Sequence, residues 1–279
     1  MINDNVKFSV LMPIYIHEKD DELRLAIDSV INQTLMPNEI IIIADKDIPQ
    51  NTKMILDEYK SKYPDIFNPV ILKESASLGQ SRAIGVEMAK YDIIANMDAD
   101  DIARKDRFQI QINFMKNNPE IDVVGSWITE FEGTPDNIYA IRELPQNLKD
   151  IINFCKFRSP INNMTIMYKK KSLIEAGNYS SLQGMEDFEL WGRMLVKGYK
   201  LANIPECLVN VRAGRNLINR RKGFKVLNYE LAVFKRFYNY GFISKYEYCK
   251  AISLKFLLRM IPNWLRGFIY NNFLRKKVG

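Results

Sequence analysis

SLGQSRAIGVEMAKYDIIANMDADD, Ser77 to Asp101, is the stretch that decides the fold. Its first part predicts a helix over Gly79–Ala89. Its second part, Asp92 to Met97, is a short apolar run of strand character, and three carboxylates follow it directly. The same alternation extends upstream. Val6 to Tyr15 holds the run FSVLMPIY, fit for a buried strand. Asp20 to Gln33 carries Leu23, Ala26, Ile27, Val30 and Ile31 at helical spacing. Glu39 to Ala44 (EIIIIA) is continuously apolar and β-branched, as in a strand covered on both faces. Thr52–Lys62 reads as a helix and Pro69–Leu72 as a strand. This β-α-β-α-β-α-β order over about 100 residues predicts a doubly wound, mostly parallel α/β sheet with helices on both faces. Downstream the pattern predicts a helix near Arg104–Asn117, a strand near Val123–Phe131 and a mixed region to about residue 211.

Ligands of open α/β sheets bind beyond the carboxyl ends of the strands. The residues to inspect are therefore Pro13-Ile14-Tyr15, Asp45, Ser75 to Arg82, and Asp98-Ala99-Asp100-Asp101. In extended geometry Asp98 and Asp100 point to the same side. Two close carboxylates repel each other unless a cation sits beside them. Oxygen-only ligands suit Mg²⁺ or Mn²⁺, which also bind phosphates. The competing reading is a solvated turn or a cap for a helix over Ile102–Phe114, above all for Asp101. Neither a Gly-x-Gly-x-x-Gly nor a Walker A loop follows the first strand. Further on, Glu186 and Asp187 fall at the start of a helix whose apolar face is Phe188, Leu190, Trp191, Met194 and Leu195. Capping is the alternative there too.

At this point the chain resembles a known family, the inverting glycosyltransferases of family 2 with the GT-A fold. The resemblance covers about residues 6–212 and runs motif by motif. SVLMPIYIHE is similar to the family's first strand and its Pro-x-Tyr-Asn-x-Glu turn, and LRLAIDSVINQT to the helix that follows. EIIIIADKD is similar to the strand that ends in Asp-Asp-Gly-Ser. The opening stretch resembles the run from Gly-x-x-x-Arg to the metal-binding Asp-x-Asp. GMEDFELWGRMLVKGYKLANIPECLVNVR resembles the Glu-Asp-x-x-Leu-Trp element and the strand closing the acceptor site. SPINNMTIMYKKKSLIEAGNY resembles a subgroup of bacterial polysaccharide gene products, in which Asn163 often reads His.

The resemblance implies roles. Pro13, Tyr15, Glu18 and Asp45 would line the nucleoside pocket, with Asp45 facing the base. Arg82 would sit near the sugar or nucleotide. Asp98 would contact the ribose or metal-bound water, and Asp100 would coordinate Mn²⁺ or Mg²⁺ on the diphosphate. Asp187 would be the catalytic base, Glu186 would help hold the acceptor, and Trp191 would lie on the acceptor side. The chain departs from the pattern at Ile16 for the turn's Asn, at Ala44-Asp45-Lys46-Asp47 for Asp-Asp-Gly-Ser, and at Gly214, where relatives often carry a metal-ligating His. Arg212, Arg220 and Arg221 could serve the diphosphate instead, since guanidinium forks match phosphate oxygens; a solvated basic loop is the alternative.

Composition narrows the class. The chain has 279 residues, 47% hydrophobic and 26% charged, which excludes a disordered, collagen-like or fully membrane-embedded protein. Cys155, Cys207 and Cys249 are far apart and odd in number, which suggests neither a disulfide framework nor a zinc site. His17 is the single histidine, so a His-based metal site or a Ser-His-Asp triad would rest on it alone. No signal peptide and no run of about 18 apolar residues is visible. The expected location is cytoplasmic, peripheral on the inner face of the cell membrane.

Charge is unevenly placed. Residues 1–210 hold 24 Lys and Arg against 31 Asp and Glu; residues 211–279 hold 16 against 2, a net of +14. A basic tail on an acidic body implies an anionic partner. Ile252, Leu254, Leu257, Leu258 and Ile261 form a helical stripe beside Lys250, Lys255 and Arg259, and Trp264, Leu265, Phe268, Ile269 and Tyr270 follow Pro262. That mixture suits an anionic membrane surface; packing on the catalytic domain is the alternative. No nucleic-acid motif is present.

The expected organisation is a catalytic domain over 1–214 and a basic amphipathic helical region over 215–279. The nucleotide half would be about 1–101 and the acceptor half about 102–214. The expected activity is metal-dependent, inverting transfer from a nucleotide-sugar donor, UDP-linked by preference. The acceptor would be a saccharide or polyprenyl-diphosphate-linked precursor in capsule, exopolysaccharide or O-antigen synthesis. The alternatives are a sugar-nucleotide nucleotidyltransferase and a non-catalytic membrane-associated binding protein.

Overall fold

Alternation along β1 (Phe8–Ile14) and β2 (Glu39–Ala44) sets the architecture. Val10, Met12, Ile14, Ile40 and Ile42 enter one apolar cluster, while Leu11, Ile41 and Ile43 enter the other, on the opposite face. A sheet buried on both faces needs helices on both. The computed structural model describes residues 6–213, 224–260 and 276–277.

The chain continues from β1 through α1 (Asp20–Ile31), β2, α2 (Gln50–Lys62), β3 (Phe67–Ile71), α3 (Leu78–Met88) and β4 (Ile93–Asn96). These four strands are parallel, in the spatial order β4-β1-β2-β3. Two prolines sit where the ladder tolerates them. Pro69 lies on β3, at the sheet edge. Pro13 faces the β4 side, and β4 has already ended: its last partner on β1 is Leu11, opposite Asn96. The missing N–H of Pro13 therefore costs no ladder bond, and the two strands part just where a ligand site is expected.

Beyond β4 the architecture is mixed. It runs through β5 (Ile102–Ala103), α4 (Arg107–Asn117), β6 (Val123–Phe131), β7 (Ile138–Arg142), α5 (Leu148–Cys155), β8 (Met167–Lys169), α6 (Lys170–Ala176), α7 (Glu186–Val196) and β9 (Leu201–Arg212). β8 pairs antiparallel with β4 and joins these strands to the parallel sheet; β9 runs parallel to β6. The expected helix from Arg104 begins only at Arg107, because Ile102 and Ala103 pair with Asn210 and Val209 of β9 instead. Asp101 therefore caps no helix.

Two helices follow, α8 (Phe224–Asn239) and α9 (Lys245–Met260). Leu227, Val233, Phe234 and Phe237 of α8 are buried, and Phe188 of α7 meets Phe234 and Phe237 edge-on at 6.0 and 5.1 Å between ring centres. Gly192 of α7 makes room for this contact: a β-carbon there would overlap the Phe237 ring. Lys276 and Lys277 form β10, antiparallel to β7, so the basic segment is not helical throughout.

Candidate active site

The site lies beyond the carboxyl ends of β1, β2 and β4 and meets the amino end of α7. Tyr15 is half-buried, and its hydroxyl donates to Ser81 Oγ at 3.1 Å. Burial pushes the Tyr15 phenol up, so it stays neutral. Glu18 stands half-buried in the same turn. Pro13 is a buried strand residue, which shapes the strand end and presents no pocket surface. Asp45 directly follows β2 and is buried; it accepts from the Asp47 amide at 3.0 Å and from Ser75 Oγ at 3.3 Å.

Arg82 ties the two sides together. Ser77 and Gln80 form a capping box that starts α3. Gly79 lets the first turn come within 2.7 to 3.1 Å of Ser180 and Glu186, measured from where a β-carbon would stand. One turn on, Arg82 is 4% exposed. Its Nη2 donates to Asp98 Oδ1 at 2.9 Å and its Nη1 to Glu186 Oε1 at 3.1 Å. Burial alone would lower its proton affinity. Asp98, Tyr179, Glu186 and Asp187 outweigh that, so the guanidinium stays charged.

The acidic loop is crowded. Asp98 remains partly exposed, while Asp101 is 2% exposed and accepts from the Arg212 amide at 2.9 Å. Burial pushes the Asp101 carboxyl well up, and the carboxylates of Asp100 and Asp98 add to this. Behind the loop lies Arg107, fully buried and bonded to the Asn96 carbonyl at 2.7 Å and Gln111 Oε1 at 2.9 Å. Burial pushes it down to about 9, against the pull of Asp101 and Asp98.

Arg212 does not point a free fork into the site. Its Nε donates to the Asp100 carbonyl at 3.3 Å, its Nη1 to the Gly133 carbonyl at 2.9 Å, and Glu22 lies 3.5 Å away. Its guanidinium also lies over the Phe131 ring. It pins the acidic loop to the β6–β7 turn. Arg220, Arg221 and Gly214 lie outside the described residues.

Glu186 and Asp187 are the first two helical residues of α7 and not its N-cap, which is Met185, with no side-chain cap bond; the Asp187 carboxyl accepts from the Phe188 amide. Burial pushes both carboxyls up. Asp187 adds to the shift of Glu186, and Arg82 opposes both. Arg142, a neighbour that no sequence motif singles out, also opposes the shift of Asp187. Glu186 faces Arg82 and is 4% exposed, so its grip is on the arginine. Trp191 is fully buried in the core, and no acceptor can reach its ring. Glu189 of the same helix, which sequence reasoning also missed, is fully buried between Arg193 at 3.0 Å, Tyr240 Oη at 2.7 Å and Arg236 at 3.8 Å. It fastens α7 to α8.

The glycosyl transferase family 2 model matches residues 9–177. The chain belongs to that family. It is a glycosyltransferase, and its sheet has the GT-A form. A UDP-Gal:alpha-D-GlcNAc-diphosphoundecaprenol beta-1,3-galactosyltransferase of Escherichia coli is 31% identical over 276 residues, 99% of each chain. The amylovoran biosynthesis glycosyltransferase AmsE of Erwinia amylovora is 30% identical, covering 94% of this chain and 97% of its own. Among solved structures, S. aureus TarS 1-349 in complex with UDP-GlcNAc superposes with a TM-score of 0.62 at 14% identity, over 96% of this chain and 73% of its own. The mannosyltransferase PcManGT from Pyrobaculum calidifontis, in complex with GDP-Man and Mn²⁺, gives 0.62 at 14% identity, over 94% and 72%. At that identity the structures speak for the fold alone. The family sets aside the nucleotidyltransferase alternative. No helix among the described residues is long and apolar enough to cross a membrane.

Proposed function

We propose that this glycosyltransferase moves a sugar, with inversion, from a UDP-sugar to a saccharide carried on polyprenyl diphosphate, during assembly of a bacterial surface polysaccharide. The observation that carries this is the Arg82 bridge, which joins the donor-side carboxylate Asp98 to the helix start that bears Asp187. In this reading Tyr15, Glu18 and Asp45 hold the nucleoside, and Asp98 the ribose. The acceptor hydroxyl gives its proton to Asp187 as its oxygen bonds to the anomeric carbon, and the bond from that carbon to the diphosphate oxygen breaks. With base and leaving group on opposite faces of the sugar, the anomeric centre inverts. Burial raises the proton affinity of Asp187, which suits a general base better than an ordinary aspartate.

A divalent cation fits this donor set. Burial pushes the Asp101 carboxyl up and the neighbouring carboxylates of Asp100 and Asp98 add to it, a crowding of negative charge that favours an added cation. Asp100 and Asp98 offer hard oxygens suited to Mg²⁺ or Mn²⁺. Among the described residues no three His, Cys, Asp or Glu side chains form a closed cage, so donor phosphate oxygens would complete the shell. The ion would offset negative charge developing on the leaving diphosphate. The galactosyltransferase relative, named for a UDP donor and a diphosphoundecaprenol-linked acceptor, supports the substrate classes.

The acceptor's lipid suggests a docking face. Tyr246, Lys250, Leu254 and Leu257 follow one another at helical spacing on α9, and all four are exposed. An apolar and basic face of this kind suits an anionic membrane surface.

Calorimetric titration of UDP, GDP, dTDP and CMP, with Mn²⁺ and then with EDTA, tests the reading. UDP should bind in a metal-dependent way that Asp100→Ala abolishes. Absence of nucleotide binding both in solution and on phosphatidylglycerol vesicles would overturn it.

A further inference from the structure

Arg82 is held from a third side by groups that the reaction, as described above, does not use. The Asn163 amide oxygen faces its Nε, Nη1 and Nη2 at 3.1, 3.1 and 3.2 Å, in the amide orientation that also lets the nitrogen donate to Tyr179 Oη at 2.9 Å. The other orientation would set an NH₂ against a guanidinium, donor against donor. Arg82, a donor at every nitrogen, therefore selects this orientation, and the Tyr179 hydroxyl, accepting from the amide nitrogen, holds it in place. That hydroxyl is held in turn by Asn96 Nδ2 at 2.9 Å, and Tyr168 Oη donates to Asn96 Oδ1 at 3.2 Å. Asn163, Tyr179, Asn96 and Tyr168 are all buried, at 5%, 6%, 1% and 0% exposure.

The backbone is bent to bring Tyr179 there. Gly177 and Asn178, just after α6, both adopt positive φ, +107° and +53°. For Asn178 this is an uncommon conformation. Its side chain bonds the Ala83 carbonyl on α3 at 3.2 Å and takes the Tyr179 amide at 2.8 Å. The turn thus ties Tyr179 to the helix that carries Arg82. Asn163 suits its place because its amide is neutral: it orients the cation without competing for its charge. The whole positive charge stays available to Asp98 and Glu186.

We propose that Tyr179 and Asn163 are positioning residues for sugar transfer, which hold the Arg82 fork so that it sets the distance between Asp98 and the Glu186-Asp187 helix start. This rests on the transfer reaction proposed above. A guanidinium fixed on three sides cannot swivel. Released from Asn163, it can turn toward one carboxylate at the expense of the other, and a misplacement on the order of 1 Å costs about a hundredfold in rate.

The test uses the full chain. UDP release is followed from UDP-galactose, UDP-glucose and UDP-GlcNAc with GlcNAc-diphosphoundecaprenol as acceptor, and UDP affinity is measured by calorimetry. Tyr179→Phe and Asn163→Ala should each lower kcat by about ten- to a hundredfold, while UDP affinity changes less than about threefold. Combined with Arg82→Lys, neither should lower kcat further, because residues that act through one group are not additive. Three outcomes overturn the proposal: kcat within about twofold of wild type in both single variants, independent multiplication with Arg82→Lys, or loss of cooperative thermal unfolding in both variants. The last would assign the network to stability alone. A wild-type protein that releases UDP from none of these donors would instead defeat the transfer reading, and this inference with it.

Discussion

Asp45 and Asp98 stand where β-strands end; Asp187 stands where a helix begins. The two halves of the site place their carboxylates by different physics. On the nucleotide side, position follows from the register of a parallel sheet whose strands are apolar on both faces, and each residue is set by the few before it. At the Asp187 side, α7 is held by contacts from far along the chain: Arg82 at one end, and Phe234, Phe237 and Arg236 of α8 with Tyr240 just after it along its flank. The nucleotide site should therefore tolerate damage to α7, while catalysis should not.

The largest expected effect breaks the two functions apart. Asp187→Asn keeps the shape and removes the base, so sugar transfer should fall by about 10² to 10⁴ while UDP affinity holds within about twofold. An equal fall in UDP affinity would mean that the halves are one unit, and that the base assignment is wrong.

A smaller effect tests the packing. In Gly192→Ala the added methyl meets the Phe237 ring. Overpacking of this kind costs about 1 to 3 kcal/mol, readable as a lower denaturation midpoint. Transfer should drop with it, because the helix that carries Asp187 must shift, and UDP binding should survive. A midpoint equal to wild type would mean that α8 yields freely and does not brace α7.

The same contrast explains what the sequence revealed. Strand ends are local, so the apolar runs around Glu39–Ala44 and Asp92–Met97 located Asp45, Asp98 and Asp100; that Pro13 sits where β1 and β4 part emerged only from the sheet register. Long-range partners leave no local trace. Nothing near Arg82 announces that Glu186, 104 residues away, will share its guanidinium. Trp191 resembled a pocket residue by its place in a motif, yet helical spacing with Phe188 and Leu195 marks that side as core. Arg212 looked available because its partners are two backbone carbonyls, a ring face and the distant carboxylate of Glu22, which no local residue pattern encodes. Tyr179 carried a faint signal, Gly-Asn just before it, a pair suited to positive φ.

The smallest effect is a sign difference within α7 itself. Burial raises the Asp187 carboxyl, so the native state holds that proton more tightly than the unfolded chain does. Stability from this group is complete below the ordinary aspartate value and is lost as pH rises through the raised native one. Glu189, two residues on, runs the other way. Burial pushes it up, but Arg193, Tyr240 and Arg236 outweigh burial and hold it below its ordinary value. Its contribution is present above the unfolded glutamate value and is lost as pH falls through the native one. At neutral pH Asp187→Asn should therefore stabilise the protein and Glu189→Gln destabilise it, each on the order of 1 kcal/mol. Both differences should shrink toward pH 3 in denaturation curves. If both variants move stability in the same direction at neutral pH, the first turn of α7 is a structural element like the rest of the helix. Opposite signs would identify Asp187 as a group held at a cost to stability, which the fold keeps because the reaction needs a base there.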